Sequence, residues 1–151
     1  MAYSIFEIAD WFLAKESMTP KKLQKLTYYA EAWSHALLNR SIVDDTHFEA
    51  WAHGPVSDKL YQKYREYKWS DIEKNENEVS IDDEKDLELL ESVWFTYGDM
   101  TANALEAQTH SESPWRNARI KGNAEPGERS NEVISNEDMR IYYQSIYAGD
   151  E

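Results

Sequence analysis

Glu49-Ala50-Trp51-Ala52-His53-Gly54-Pro55-Val56 is the stretch from which the rest of the chain is read. Glycine tolerates a positive φ, while proline fixes its own φ and pushes the residue before it out of the α region. A Gly-Pro pair between apolar flanks therefore marks a sharp corner into a following helix. Trp51, Gly54, Pro55 and Val56 make up this structural elbow. Thr46 to Trp51 alternates roughly in polarity and predicts a short strand before it. Nothing in the stretch has the form of a nucleophile, a metal cage or a phosphate loop.

Working outward, Thr19 is a good N-cap with Pro20 at the first helical position, where the missing N–H costs nothing. The helix so opened runs to about Asn39, with Leu23, Leu26, Ala30, Trp33 and Leu37 as its buried stripe. Lys25, Tyr28 and Tyr29 fall at the edge of that stripe, with one side accessible. A first helix spans Tyr3 to about Glu16, placing Ile5, Ile8, Ala9 and Phe12 on one face. Beyond the elbow, Ser57 caps a helix from Asp58 to about Lys68. Trp69 to Asp82 is polar and reads as a loop with Val79 and Ile81 as its apolar contacts. Asp82 or Asp83 opens a fourth helix whose acidic first turn suits the helix dipole. Leu87, Leu90, Trp94 and Tyr97 share its inner face, and Gly98 ends it. Thr101 caps a fifth helix to about Gln108, and Ser113 caps a short turn at Pro114-Trp115. Gly122 to Ser130 is a loop. Val133-Ile134 is a partner for the earlier strand. Ser135 or Asn136 caps a last helix that buries Met139, Tyr142, Tyr143 and Ile146. The predicted fold is mainly α: a single compact domain over residues 1–151, with six or seven helices and a minimal two-stranded β element.

At 151 residues the chain is long enough to bury a substantial core. Its Trp 6, Tyr 10 and Phe 4 predict a core packed with rings. Zero cysteines exclude disulfides and thiolate metal sites and suit a reducing cytosol. No run of 18 apolar residues exists, and Met1-Ala2-Tyr3-Ser4-Ile5 lacks the basic start of a signal peptide. A cytoplasmic protein without membrane contact is expected. Net charge is −13, and Asp71 to Glu91 holds ten acids against Lys74 and Lys85, which places −8 of it in 21 residues. Such a field repels phosphate backbones, so nucleic acid is an unfavourable partner, and it speeds encounter with a basic protein. Lys15, Lys21, Lys22 and Lys25 are too few to overturn that sign.

The search for chemistry returns no catalyst. His35, His47, His53 and His110 show no metal-ligand spacing, and no metal or cofactor is expected. His110-Ser111-Glu112 puts a base, a hydroxyl and an acid in a row, but adjacent side chains seldom converge. Capping of helix carbonyls by His110 is the simpler reading. The 5 glycines are too scattered to cradle a nucleotide. What remains is a set of residues suited to contact a partner: Lys21, Gln24, Lys25 and Tyr28 on one helix, His53 and Tyr61 near the elbow, and His110, Glu112 and Trp115 later. Glu76, Glu78, Asp82 and Asp83 add the acidic segment.

Thr19-Pro20-Lys21-Lys22-Leu23-Gln24-Lys25-Leu26-Thr27-Tyr28-Tyr29-Ala30 followed by Ala50-Trp51-Ala52-His53-Gly54-Pro55-Val56 resembles the Panacea domain, also called SocA-like or phage-associated GepA-like. Thr109-His110-Ser111-Glu112-Ser113-Pro114-Trp115 and Val133-Ile134 before a last helix extend the likeness from about Ile5 to Tyr147. The resemblance implies an antitoxin of a toxin–antitoxin pair, neutralising a cognate protein toxin encoded next door by direct binding. A proteolytic adaptor that delivers the toxin to an ATP-dependent protease is the alternative it implies. A winged-helix-like DNA-binding regulator is a further alternative, which the charge opposes. Because such antitoxins pair with very different toxins, the specific contact surface is expected in the variable Trp69–Asp86 segment and the Gly122–Ser130 loop.

Overall fold

The computed structural model describes residues 2–149; residues 1, 150 and 151 of the expected domain lie outside the described residues. Among the described residues there are seven α-helices and one two-stranded sheet. The order is α1 (Ile5–Leu13), α2 (Pro20–Leu38), β1 (Glu49–Trp51), β2 (Gly54–Val56), α3 (Asp58–Tyr64) with a 3-10 turn at Arg65–Tyr67, α4 (Glu84–Tyr97), α5 (Ala102–His110), α6 (Ser113–Lys121) and α7 (Asn136–Tyr147).

Helix starts follow from their caps. Side chains of Ser4, Thr19, Ser57, Asp83, Thr101 and Ser135 each accept a hydrogen bond from a first-turn amide. Ser4 adds a reciprocal bond from its own amide to Glu7, a capping box that moves the start of α1 from Tyr3 to Ile5. Asn39 ends α2 in the left-handed region, at φ 55° and ψ 37°. Gly98 closes α4 at φ −60°, so its end needs no left-handed residue. Pro114 sits in the first turn of α6, which extends to Lys121, well past the short turn expected from sequence. Its N-cap is Glu112 rather than Ser113. Likewise α5 reaches His110, not Gln108.

Helix α2 is the axis of the molecule, packing against α1, α3, α4, α5, α7 and β2. It is buried nearly all round, not along the single expected stripe. Leu23, Leu26, Tyr28, Tyr29, Ala30 and Ala32 are all fully buried, whereas Leu37 at its far end is 41% exposed. Six polar side chains are buried with them: Gln24, Lys25, Thr27, Glu31, Ser34 and His35. Buried polar groups demand partners, and most of these find them on loop backbone. Gln24 clamps Ser57, with its amide nitrogen donating to the Ser57 carbonyl at 3.0 Å and its oxygen accepting from the Ser57 amide at 2.9 Å. Glu31 accepts from the amides of Ile42 at 2.8 Å and Val43 at 3.2 Å. Ser34 donates to the Arg40 carbonyl. The polar positions of α2 therefore fix the course of the loops around it.

One aromatic core joins all these elements. Tyr29 stacks on Tyr97 of α4 at 4.0 Å and 9°, and Tyr28 meets Phe48 edge-on at 5.6 Å. Such pairs add about 0.5–1.5 kcal/mol each beyond the area they bury. Tyr143 and Met139 bring α7 into this core, while Ile146, expected inside, is 44% exposed.

The elbow is a hairpin rather than a bare corner. β1 and β2 pair antiparallel with register Glu49↔Val56, Ala50↔Pro55 and Trp51↔Gly54 around the two-residue turn Ala52-His53. Gly54 has φ 109°, which a Cβ would resist. Proline is tolerated here because Ala50, opposite it, turns its polar groups outward. The Ala50 amide donates to the Glu132 carbonyl at 2.9 Å, and its carbonyl accepts from Arg119 at 3.0 Å. The same edge takes a single antiparallel bridge, Glu49↔Val133, with the Ile134 amide donating to the Phe48 carbonyl. Val133-Ile134 thus lies beside the earlier strand as expected, without forming a strand of its own.

Candidate partner-binding groove

The hairpin sits over the N-terminal half of α2 and against α5 and α6. This arrangement sorts the residues singled out from sequence into four places. Lys21, Gln24, Trp51, His53, Val56 and Tyr61 line a groove of about 400 Å³ on the α3 side of the hairpin. Lys25, Tyr28 and Glu112 are core residues. His110 and Trp115 stand on the opposite flank of the hairpin, and Glu76, Glu78, Asp82 and Asp83 belong to the acidic segment beside α1 and α4.

The groove has an aromatic lining. Trp51 and Tyr61 meet edge-on with ring centres 5.0 Å apart. Leu60, Tyr64 and Trp69 continue the apolar wall, and Trp69 is 82% exposed. Arg129, from the 122–130 loop, lies over the Trp51 ring at 4.0 Å, a cation–π contact. Lys21, Arg65 and Lys68 line the same groove. Lys68 adopts φ 52° and ψ −112°, a conformation that a side-chain-bearing residue rarely takes, as the chain leaves the 3-10 turn. Trp69 follows directly. Tyr61 and His53, singled out from sequence, lie in this groove together with Trp69, which opens the segment expected to vary, and with Arg65 and Lys68, which sequence reasoning did not single out. The signal for Trp69 was its isolation in a polar stretch, where no apolar periodicity claims it.

Lys25 is corrected from an accessible edge residue to a strut inside the fold, 1% exposed. Its Nζ donates to the Pro55 carbonyl at 3.2 Å, so the lysine holds the hairpin onto α2. Burial pushes its ammonium down to about 7, Lys21 acts in the same direction, and Glu106 opposes both. A Cβ on Gly54 would lie 2.6 Å from Lys25 Cε and 3.1 Å from Thr109 Oγ1. The glycine therefore serves two ends: the positive φ and the close approach of this lysine.

Tyr28 and Glu112 are corrected likewise. Glu112 is buried and accepts from the hydroxyls of Tyr29 at 2.8 Å and Tyr143 at 2.7 Å, and from Gln108 at 3.1 Å. Burial raises its carboxyl above the ordinary range, and the three donors offset part of that. Tyr28 shares a 3.2 Å contact with the Tyr143 hydroxyl. Burial holds Tyr28, Tyr29 and Tyr143 neutral by raising their phenols well above the usual value. This node ties α2, α6 and α7 together and leaves no face free for a partner.

Glu106 organises the rim of the groove. It pairs with Lys21, and accepts from His53 at 3.2 Å. Burial works to raise its carboxyl, and the hydrogen bonds from Lys21 and His53 outweigh it, so it sits below the usual range. His110 stacks on Trp115 at 3.9 Å and 14°, and burial pulls its imidazole below the ordinary value. A neutral ring lying on an indole replaces the expected cap. Trp115 donates to the Trp51 carbonyl at 2.9 Å and thereby supports the hairpin from behind.

The acidic segment runs along α1. The Ile72 amide donates to the Met18 carbonyl at 2.7 Å and the Asn75 amide to the Leu13 carbonyl at 2.9 Å. Glu76 and Glu78 are exposed along it. Asp83 differs in kind, because it caps α4 and stands 3.5 Å from Arg40.

With this geometry in place the class is defined: the chain belongs to the antitoxin SocA-like, Panacea domain family, whose model matches residues 23–116, more than half of its length. The matched stretch begins in α2 and ends in the first turn of α6, so it encloses the hairpin and most of the groove lining. None of the curated proteins and none of the solved structures matches the chain. Among the described residues no helix is long and apolar enough to cross a membrane.

Proposed function

We propose that this chain is a cytoplasmic antitoxin that neutralises a cognate protein toxin by direct contact, without catalysis and without a cofactor. The observation that carries the reading is an exposed aromatic groove inside the family-matched stretch. Aromatic side chains in a partly desolvated pocket are the usual anchors of protein–protein affinity. The acidic segment supplies the complementary long-range attraction to a basic surface of the toxin. Gln24, Lys25 and Glu112 around the hairpin work inward, so contact falls to the groove and the acidic segment.

Co-expression with the adjacent gene is the test. Rescue of growth from a toxic neighbour supports the reading, and a neighbour that is harmless alone removes its main support. Toxin abundance in the rescued cells separates the two routes to neutralisation: direct occlusion leaves the toxin level unchanged, whereas delivery to a protease lowers it.

A further inference from the structure

The groove beside the hairpin has a basic edge on an acidic molecule. Three basic residues line it and no carboxylate does, in a chain of net charge −13. Lys21 is already neutralised by Glu106. Among the described residues, Arg65 and Lys68 form no salt bridge, and both are exposed beside the apolar wall of Tyr61, Tyr64 and Trp69. The chain's own acids do not serve them. From Ile72 onward the acidic segment is held to the end of α1 and the connection after it by the two backbone hydrogen bonds from Ile72 to Met18 and from Asn75 to Leu13. The groove and the shallow cleft along that segment share no lining residue.

We propose that the groove takes an acidic segment of the partner protein, with one aromatic or long aliphatic side chain seated against Tyr61 and Trp69. This rests on the antitoxin reading, since it names the part of the toxin that enters. The segment's carboxylates meet Arg65 and Lys68 at the open end. Arg65 presents a planar fork of donors matched to a carboxylate, and Lys68 a point charge on a flexible stem. A basic segment at the same place meets two like charges, and a neutral one leaves both cations without partners. Lys68, with its rare backbone conformation, and Trp69 follow directly on the 3-10 turn, and both are exposed. The antitoxin thus offers two surfaces of opposite sign: an acidic segment that attracts, and a groove with a basic edge that fixes register.

Photo-cross-linking with p-benzoylphenylalanine in place of Trp69, in the complex with the product of the adjacent gene, tests the assignment. The expected adduct is a toxin segment that carries acids around an apolar anchor. The variant Arg65→Glu with Lys68→Glu, both exposed and outside the core, is expected to keep its circular dichroism and weaken toxin binding by about tenfold or more. Lysines in place of the toxin segment's acids should restore binding to that variant. A fluorescein-labelled peptide with one tryptophan among glutamates should bind the native chain, and its lysine counterpart and a single-stranded oligonucleotide should not. A cross-link to a basic segment or to a second copy of this chain overturns the proposal. So does preferential oligonucleotide binding, or full neutralisation of growth by the charge-reversed variant. If the native chain gives no rescue at all, the antitoxin reading fails and this inference falls with it; rescue without the cross-link sinks the groove alone.

Discussion

Gly54 and Lys25 are one device at the residue scale. The glycine adopts φ 109°, and the space where its Cβ would lie is filled by the lysine stem. Gly54→Ala therefore combines backbone strain with a clash against a buried side chain. The expected loss is about 1–3 kcal/mol of stability, read by urea denaturation. Full stability with lost neutralisation would instead make the hairpin turn a contact site. Lys25 itself predicts a pH dependence. Its folded-state value of about 7 lies below the 10.5 of the unfolded chain. Between these values the unfolded chain holds a proton that the folded chain lacks, so stability rises with pH across that window. The slope approaches about 1.4 kcal/mol per pH unit where the two states differ by one proton. The raised tyrosines act with opposite sign as pH nears their ordinary value of 10, and His110 acts only below 6.5. Denaturation at pH 7.5, 8.0 and 8.5, at about those values, stays below the tyrosine range and isolates the lysine. The native chain should gain stability over that series, and Lys25→Met should be flat. Equal slopes in both would show that Lys25 stays charged inside the fold.

At the scale of elements, caps were legible and burial was not. Thr19 with Pro20, Ser57, Thr101 and Ser135 announce their helices because a side-chain oxygen next to a helical run has few other uses. The hairpin was harder, since a Pro within an apolar run argues against a strand. Only the outward hydrogen bonds of Ala50, to Glu132 and Arg119, make Pro55 acceptable there. Both partners lie more than sixty residues away in sequence, beyond any local pattern. The stripe on α2 was misjudged for a related reason. Gln24, Lys25 and Glu31 look like surface residues until the loops that they bind are in place. The groove was half visible: Tyr61, His53 and Trp51 from the elbow, but not its Arg65 and Lys68 edge, because no local pattern sets those two apart from the other charged residues of the chain. The acidic segment is the element with a kinetic role. Glu76, Glu78 and Glu84 are exposed and hold no cap, so Gln at all three removes charge without removing structure. Asp83 is left intact because it caps α4. Association with a basic toxin should slow and lose salt dependence, with dissociation little changed, because steering acts on encounter. Surface-binding kinetics at two salt concentrations check this. An on-rate indifferent to both salt and substitution would reduce the segment to a solubilising face.

The whole molecule is held by a polar node inside an aromatic core. Glu112 joins α2 through Tyr29 and α7 through Tyr143, while Gln108 reaches it from α5. The cost of breaking such a node is set by what is left behind. Glu112→Ala strands two buried hydroxyl donors, and each unsatisfied group costs about 1–3 kcal/mol. A loss of several kcal/mol, enough to unfold a domain of ordinary stability at growth temperature, is therefore expected. Glu112→Gln keeps an acceptor for one or both tyrosines and removes the charge whose burial raises the carboxyl in the native chain. That group is bound to its proton more tightly in the folded state than in the unfolded one. Its stabilising share is therefore fully present below the ordinary carboxylate range and is lost as pH rises through the folded value. Glu112→Gln escapes this loss, so its deficit relative to the native chain should shrink from pH 4 to pH 7, at about those values. Thermal melts of both variants at the two pH values decide the matter. If Glu112→Ala were as stable as Glu112→Gln, the tyrosine hydroxyls would have other partners and the node would not be what joins the last helix to the core.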